Sequence, residues 1–161
     1  MDVLYFDDFK PGDRFESAGK TLSEAEILDF AWRYDPQPIH SDKVAAEAGP
    51  YGGLIASGFQ TLVTCFRLIW KTNVLDAASL GSPGFDELKW LGPVHPGDTL
   101  RASIEVLDSR PSSSKPDRGV CRVRWYAYNQ HDDLVLSLVA VHILARRPVD
   151  NADGDQPGDG P

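Results

Sequence analysis

The chain has 161 residues, 42% of them hydrophobic, and a formal charge of −8. A chain of this length buries one core rather than two. It has no basic tract, no internal repeat and no run of about 18 apolar residues, so it offers neither a nucleic-acid-binding face nor a bilayer-spanning helix. The acidity is unevenly placed, because Asp150, Asp153, Asp155 and Asp159 lie together in the terminal PVDNADGDQPGDGP and removing them leaves about −4 on the rest. That segment has almost no apolar residue and cannot offset the entropy of becoming ordered. Residues 148–161 are therefore expected to be a disordered acidic tail behind a single domain at 1–147. Cys65 and Cys121 fall within apolar patterns and read as reduced core residues rather than a disulfide framework. With no recognisable leader, the expected location is cytoplasmic.

In chain order, Ser23 and Glu26 form a capping box, with Leu22 and Ile27 placed as a hydrophobic staple, so a helix starts there. It is expected to stop near Tyr34, since Pro36 and Pro38 push Asp35 and Gln37 out of the α region. The run Asp35-Pro36-Gln37-Pro38-Ile39-His40 is thus a constrained loop. A short helical turn over Val44–Ala48 follows, and then a breaker at Gly49-Pro50-Tyr51-Gly52-Gly53. Phe59, Leu62, Val63, Phe66, Ile69 and Trp70 recur at helical spacing, which predicts a long helix from Ser57 or Gly58 with that stripe in the core. Beyond it, Leu100, Ala102, Ile104 and Val106 alternate with polar residues, as do Cys121, Val123, Trp125 and Ala127, and both read as strands with one buried face. Leu134–Ala145 is apolar at nearly every position and is expected to be a central strand covered on both faces. One long helix against an antiparallel sheet is an α+β architecture.

Two segments carry chemistry. Asp35 and His40 supply a carboxylate and an imidazole able to exchange protons. Fully extended, the loop would hold them roughly 16 Å apart, so it must bend if both are to grip one water. The second segment is the helix start at Ser57-Gly58. First-turn amides have no intrahelical partner, and Gly58 has no side chain to keep a carbonyl oxygen away, which makes an oxyanion hole. Each residue also has an ordinary reading: Asp35 as a loop cap beside proline, Ser57 as a helix N-cap, His40 as a half-buried loop residue paired with Asp42. A metal held by Asp35, His40 and Asp42 is not expected, for want of a fourth ligand at a recognisable spacing. Arg110, Lys115 and Arg118 flank SSSKPD, which reads as a solvated hairpin tip or as a phosphate contact; Arg146 and Arg147 are equally open.

DPQPIHSD followed by GGLIASGFQT closely resembles the signature of MaoC-like (R)-specific enoyl-CoA hydratases, and GFDELKWLGPVHPGDTLRASIEV and SKPDRGVCRVRW resemble later strand and turn segments of the same family. The resemblance covers roughly residues 5–147. It implies a single hotdog domain, an antiparallel sheet wrapped around a long central helix. It also implies that Asp35 and His40 are catalytic, that Ser57 and Gly58 form the oxyanion and substrate-binding corner, and that neither metal nor redox cofactor is needed. The implied substrate is a trans-2-enoyl thioester of coenzyme A or an acyl carrier protein, the product an (R)-3-hydroxyacyl thioester, and the assembly a homodimer or dimer of dimers. Two positions depart from the family pattern: Gln37 stands where Asn is common, and His95 occupies a position where relatives carry other polar residues.

Two other functions remain open at this point. A hotdog thioesterase would hydrolyse the thioester with an acidic residue on the central helix, and the chain has none from Ser57 to Lys71. A non-catalytic acyl-thioester-binding protein would keep the fold without needing an acid/base pair.

Overall fold

The computed structural model describes residues 4–76 and 78–148, so the expected acidic tail lies, from Val149 onward, outside the described residues. After a 3₁₀ turn at Phe6–Asp8, strands β1 (Arg14–Glu16) and β2 (Lys20–Thr21) lead into helix α1 (Glu24–Tyr34). The capping box that starts α1 is present: Glu26 N–H donates to Ser23 Oγ at 3.2 Å and Ser23 N–H to the Glu26 carboxylate at 2.9 Å. Leu22 and Ile27 on either side of it are buried. The helix stops at Tyr34 because Asp35, ahead of Pro36, takes φ −153°.

The bend that the Asp35–His40 loop needs is a helical turn, α2 (Pro38–Ser41), with proline at its first position, where its missing N–H costs nothing. Helix α3 (Lys43–Glu47) follows, capped by Asp42, whose Oδ1 accepts from the amides of Val44 and Ala45 at 3.0 Å each. Asp42 is thereby committed to a helix end and not to His40.

Helix α4 (Gly58–Trp70) is the longest helix, and four long strands come after it: β3 (Ser79–Trp90), β4 (Thr99–Pro111), β5 (Arg118–Tyr128) and β6 (Leu134–Ala145). They form an antiparallel sheet in the order β1-β4-β5-β6-β3, with β2 also paired to β4. Inward residues such as Ile104, Val123, Trp125 and Leu138 make one core with Cys65, Leu68 and Ile69 of α4. Both cysteines are free and buried, and burial pushes their thiols up to about 12 at Cys65 and about 11 at Cys121. Gly119 of β5 passes directly under the Phe6 ring, which occupies the space a side chain there would need.

The expectation that the Phe59–Trp70 stripe is core holds for half of it: Ile69 is fully buried and Leu62 and Trp70 pack against the core, but Phe59, Val63 and Phe66 are 55%, 47% and 39% exposed, and the inward arc is completed by Thr61, Cys65 and Leu68. A helix that is apolar around so much of its circumference does not reveal by periodicity which arc meets the sheet. β6 is interior, as expected, but lies one strand in from the edge formed by β3. β3 itself is exposed along most of its length, with register shifts at Ser79/Gly81, Gly81/Gly84 and Asp86/Lys89 and positive φ at Gly81, Gly84 and Glu87. Among the described residues no helix is long and apolar enough to cross a membrane.

Candidate active site

Three chain segments meet at the start of α4. Asp35 closes α1, His40 lies in α2, and residues 54–57 form a buried strap that runs into α4. The strap is stitched by its backbone on both sides: Ile55 N–H donates to the Ile39 carbonyl at 3.2 Å and Ala56 N–H to the Val94 carbonyl at 2.8 Å. A buried segment must satisfy its peptide groups, and these bonds do so while fixing the start of α4 against α2.

The Ile55 carbonyl lies 2.8 Å from His40 Nδ1. A carbonyl can only accept, so Nδ1 carries a proton and Nε2 is the ring nitrogen left to face the site. That nitrogen faces Asp35 Oδ2 at 3.5 Å. The separation is too long for a strong direct hydrogen bond, and leaves both atoms able to hold a third group between them. His40 is 5% exposed, so little bulk water competes there.

Asp35 is held by two further donors. Ser57 Oγ–H donates to Oδ2 at 2.6 Å, and Gln37 Nε2–H to Oδ1 at 2.8 Å. Partial burial pushes the Asp35 carboxyl upward, but the bonds from Ser57 and Gln37 and the attraction of His40 outweigh it, and the group titrates below the ordinary aspartate value. It is an anion at neutral pH. Ser57 is fully buried and serves twice, since its Oγ also accepts from Phe59 N–H at 3.2 Å as the N-cap of α4. Its hydroxyl is thus spent on Asp35 and the helix.

Gly58 is the first residue of α4, and its N–H has no acceptor within that helix. The Trp90 indole covers it so closely that a Cβ at position 58 would fall 2.6 Å from the ring. Trp90 in turn packs edge-on against Phe59, ring centres 5.7 Å apart. Asp35, Gln37, His40, Gly58, Tyr51 and Trp90 all line one cavity of about 470 Å³. Three of the four sequence candidates, Asp35, His40 and Gly58, therefore line one chamber. Ser57 stands behind it.

Sequence reasoning noted Gln37 only as a departure and did not find its bond to Asp35. It also missed the Ile55 carbonyl that orients His40, which acts through backbone and leaves no residue signature, and the placement of Trp90 over Gly58. His95 is not among the cavity-lining residues, and its N–H donates to Asp98 Oδ2 at 2.7 Å in the turn before β4. His142, buried elsewhere in the core, stacks on Trp125 and is pushed down to about 4 by burial.

A family model described as MaoC like domain matches residues 8–123. The chain belongs to the MaoC-like dehydratase family. Among curated relatives, the uncharacterized protein YdeM of Bacillus subtilis is 32% identical over 129 residues, covering 80% of this chain and 90% of that one. The mesaconyl-CoA hydratase of Cereibacter sphaeroides is 30% identical over 146 residues, covering 89% of this chain but 41% of that longer protein. Among solved structures, the MaoC-like dehydratase of Rhodospirillum rubrum is 38% identical, with a TM-score of 0.84 over 91% of this chain and 99% of that one. The architecture is the hotdog fold, a sheet curled around α4.

Proposed function

We propose that this member of the MaoC-like family is a hydro-lyase that reversibly adds water to a trans-2-enoyl thioester to give the (R)-3-hydroxyacyl thioester. The observation that carries the reading is the convergence of Asp35, His40 and Gly58 on one cavity, with His40 Nε2 3.5 Å from Asp35 Oδ2. A thioester carbonyl accepting from Gly58 N–H has its β-carbon made electrophilic and its enolate-like transition state stabilised. A water held between Asp35 and His40 bonds to that carbon through oxygen as its proton passes to the pair. The pair then returns a proton to the α-carbon, so the elements of water add and no electrons are exchanged. The scheme calls on no metal or redox cofactor. The thioester carrier, coenzyme A or an acyl carrier protein, is part of the substrate.

The same reading includes a homodimer. Phe59 and Phe66 on α4 and Phe85 and Trp90 on β3 are exposed, and β3 pairs only with β6 among the described residues. Twofold pairing of that edge would bury it together with the apolar helix face.

The test is loss of enoyl-thioester ultraviolet absorbance with crotonyl-, octenoyl- and branched enoyl-CoA. Wild type is expected to consume at least one of them, and Asp35→Asn and His40→Ala to be slower by about a hundred- to ten-thousandfold. Release of free thiol without hydration would replace this reading with a thioesterase. Full turnover by both variants would remove the pair from the mechanism.

A further inference from the structure

Trp90 reaches the catalytic cavity through an irregularity of β3. Phe85 faces Ala140 and Trp90 faces Leu136, so five steps along β3 answer four along β6 and one residue of β3 is extra. Positions an odd number apart in a regular strand lie on opposite faces, yet the partners Ala140 and Leu136 both belong to the core side of the sheet. The extra residue falls between Asp86 and Lys89, where Glu87 takes φ 53° and its carboxylate is held by Arg124 of β5 at 3.0 Å. A one-residue shift exchanges the faces of everything beyond it, so without the bulge the Trp90 side chain would stand on the outer face. A residue other than glycine in the left-handed region is strained, and such residues concentrate at functional sites.

What the bulge aims is an indole at the start of α4. Leu91 N–H donates to the Val135 carbonyl at 2.9 Å and fixes the backbone just beyond it. A Cβ on Gly58 would fall 2.6 Å from both Nε1 and Cε2, so the edge of the ring that carries the N–H lies against the glycine. The amide nitrogen and a Cβ on one Cα are about 2.5 Å apart, which puts Nε1 within about 5 Å of the Gly58 nitrogen. Helical Cα–Cβ bonds tilt toward the N-terminus, the side to which the free first-turn N–H also points. One oxygen about 2.9 Å from each of two N–H donors spans nitrogens up to about 5.8 Å apart. Trp90 lines the cavity, and its Nε1–H meets no acceptor among the described residues.

We infer that Trp90 Nε1–H is a second donor to the thioester oxygen, beside Gly58 N–H, and that Trp90 is a catalytic residue of the hydration. The inference rests on the enoyl-thioester reading above. As water adds to the β-carbon, negative charge collects on the thioester oxygen, and a donor already in place stabilises that charge more than it does the neutral carbonyl. An indole N–H suits the position because it only donates, and so does not compete with the oxygen for the Gly58 proton. The aromatic body has a separate task, packing on Phe59 and filling the space over Gly58. Phenylalanine keeps most of that packing and lacks the N–H.

Trp90→Phe therefore separates donation from packing. With crotonyl-, octenoyl- and branched enoyl-CoA its kcat is expected to be about a hundredfold below wild type, and KM little changed, since the lost bond strengthens in the transition state. A packing defect would also slow the enzyme, so the second readout is the infrared stretch of the thioester carbonyl. The same three enoyl-CoAs, carbon-13-labelled at that carbonyl, are bound to Asp35→Asn with and without Trp90→Phe. Donors to the oxygen lower the stretch, and loss of the indole N–H is expected to return it part of the way toward the free value. An unchanged kcat overturns the inference, as does an unmoved stretch. The spectrum needs no turnover, so a protein whose bound carbonyl responds to Trp90→Phe yet hydrates none of the three fails the hydratase reading alone. An active wild type whose carbonyl stretch ignores Trp90→Phe fails the Trp90 assignment alone, and no binding of any of the three overturns both.

Discussion

Gln37 reaches back across Pro36 to hold Asp35 Oδ1, while Ser57 holds Oδ2. Burial raises the carboxyl, and both donors together with His40 bring the net shift below the ordinary value. If catalysis requires ionised Asp35, activity falls as pH drops through a carboxyl pKa that lies below the ordinary value. Gln37→Ala removes one donor and leaves the burial, so the acid limb of kcat/KM against pH is expected to move upward, with Gln37→Asn in between. An unmoved acid limb would show that Gln37 does not act through Asp35. That Asp35, His40 and Gly58 come together was legible from the resemblance of DPQPIHSD and GGLIASGFQT to a known signature, and the three line one cavity. The Gln37 contact was not, since it depends on a side-chain rotamer, and neither was Trp90 over Gly58, which joins residues 32 apart in the chain and follows only from sheet closure.

Elements differ in how much of themselves the sequence displays. α1 was legible to the residue, because a capping box fixes one end and prolines the other. β4, β5 and β6 were legible from alternation or continuous apolarity. β3 was not legible from pattern, because a strand with several register shifts and most of its residues exposed has no period to read. For α4 the span was legible and the buried arc only in part, Ile69 lying inward as expected and Phe59 not. At the other end of the sheet, β5 accommodates the N-terminal turn only through Gly119 beneath Phe6. Gly119→Ala forces ring and strand apart and is expected to cost about 1–3 kcal/mol as overpacking. Thermal unfolding should show a Tm lower by several degrees, while the pH profile of the distant site stays where it was. An unchanged Tm would mean the Phe6 turn moves aside without loss.

At the scale of the whole molecule, a single sheet curls around α4 and leaves two surfaces unfinished, the outer edge of β3 and the helix face bearing Phe59 and Phe66. If the dimer forms there, Phe85→Asp on β3, away from the catalytic cavity, places an unpaired charge in the contact and is expected to convert a dimer of 17.7 kDa chains into monomers in sedimentation. A monomeric wild type would remove the dimer from the reading. The strap at 54–57 has a different consequence. It orients His40 through the Ile55 carbonyl and docks on Val94 through the Ala56 amide, so its hold on the site is made by atoms that every residue other than proline possesses. A change of side chain at 55 or 56 therefore leaves those bonds standing, and because both residues also line the catalytic cavity, what such a change alters is the room for substrate rather than the orientation of His40.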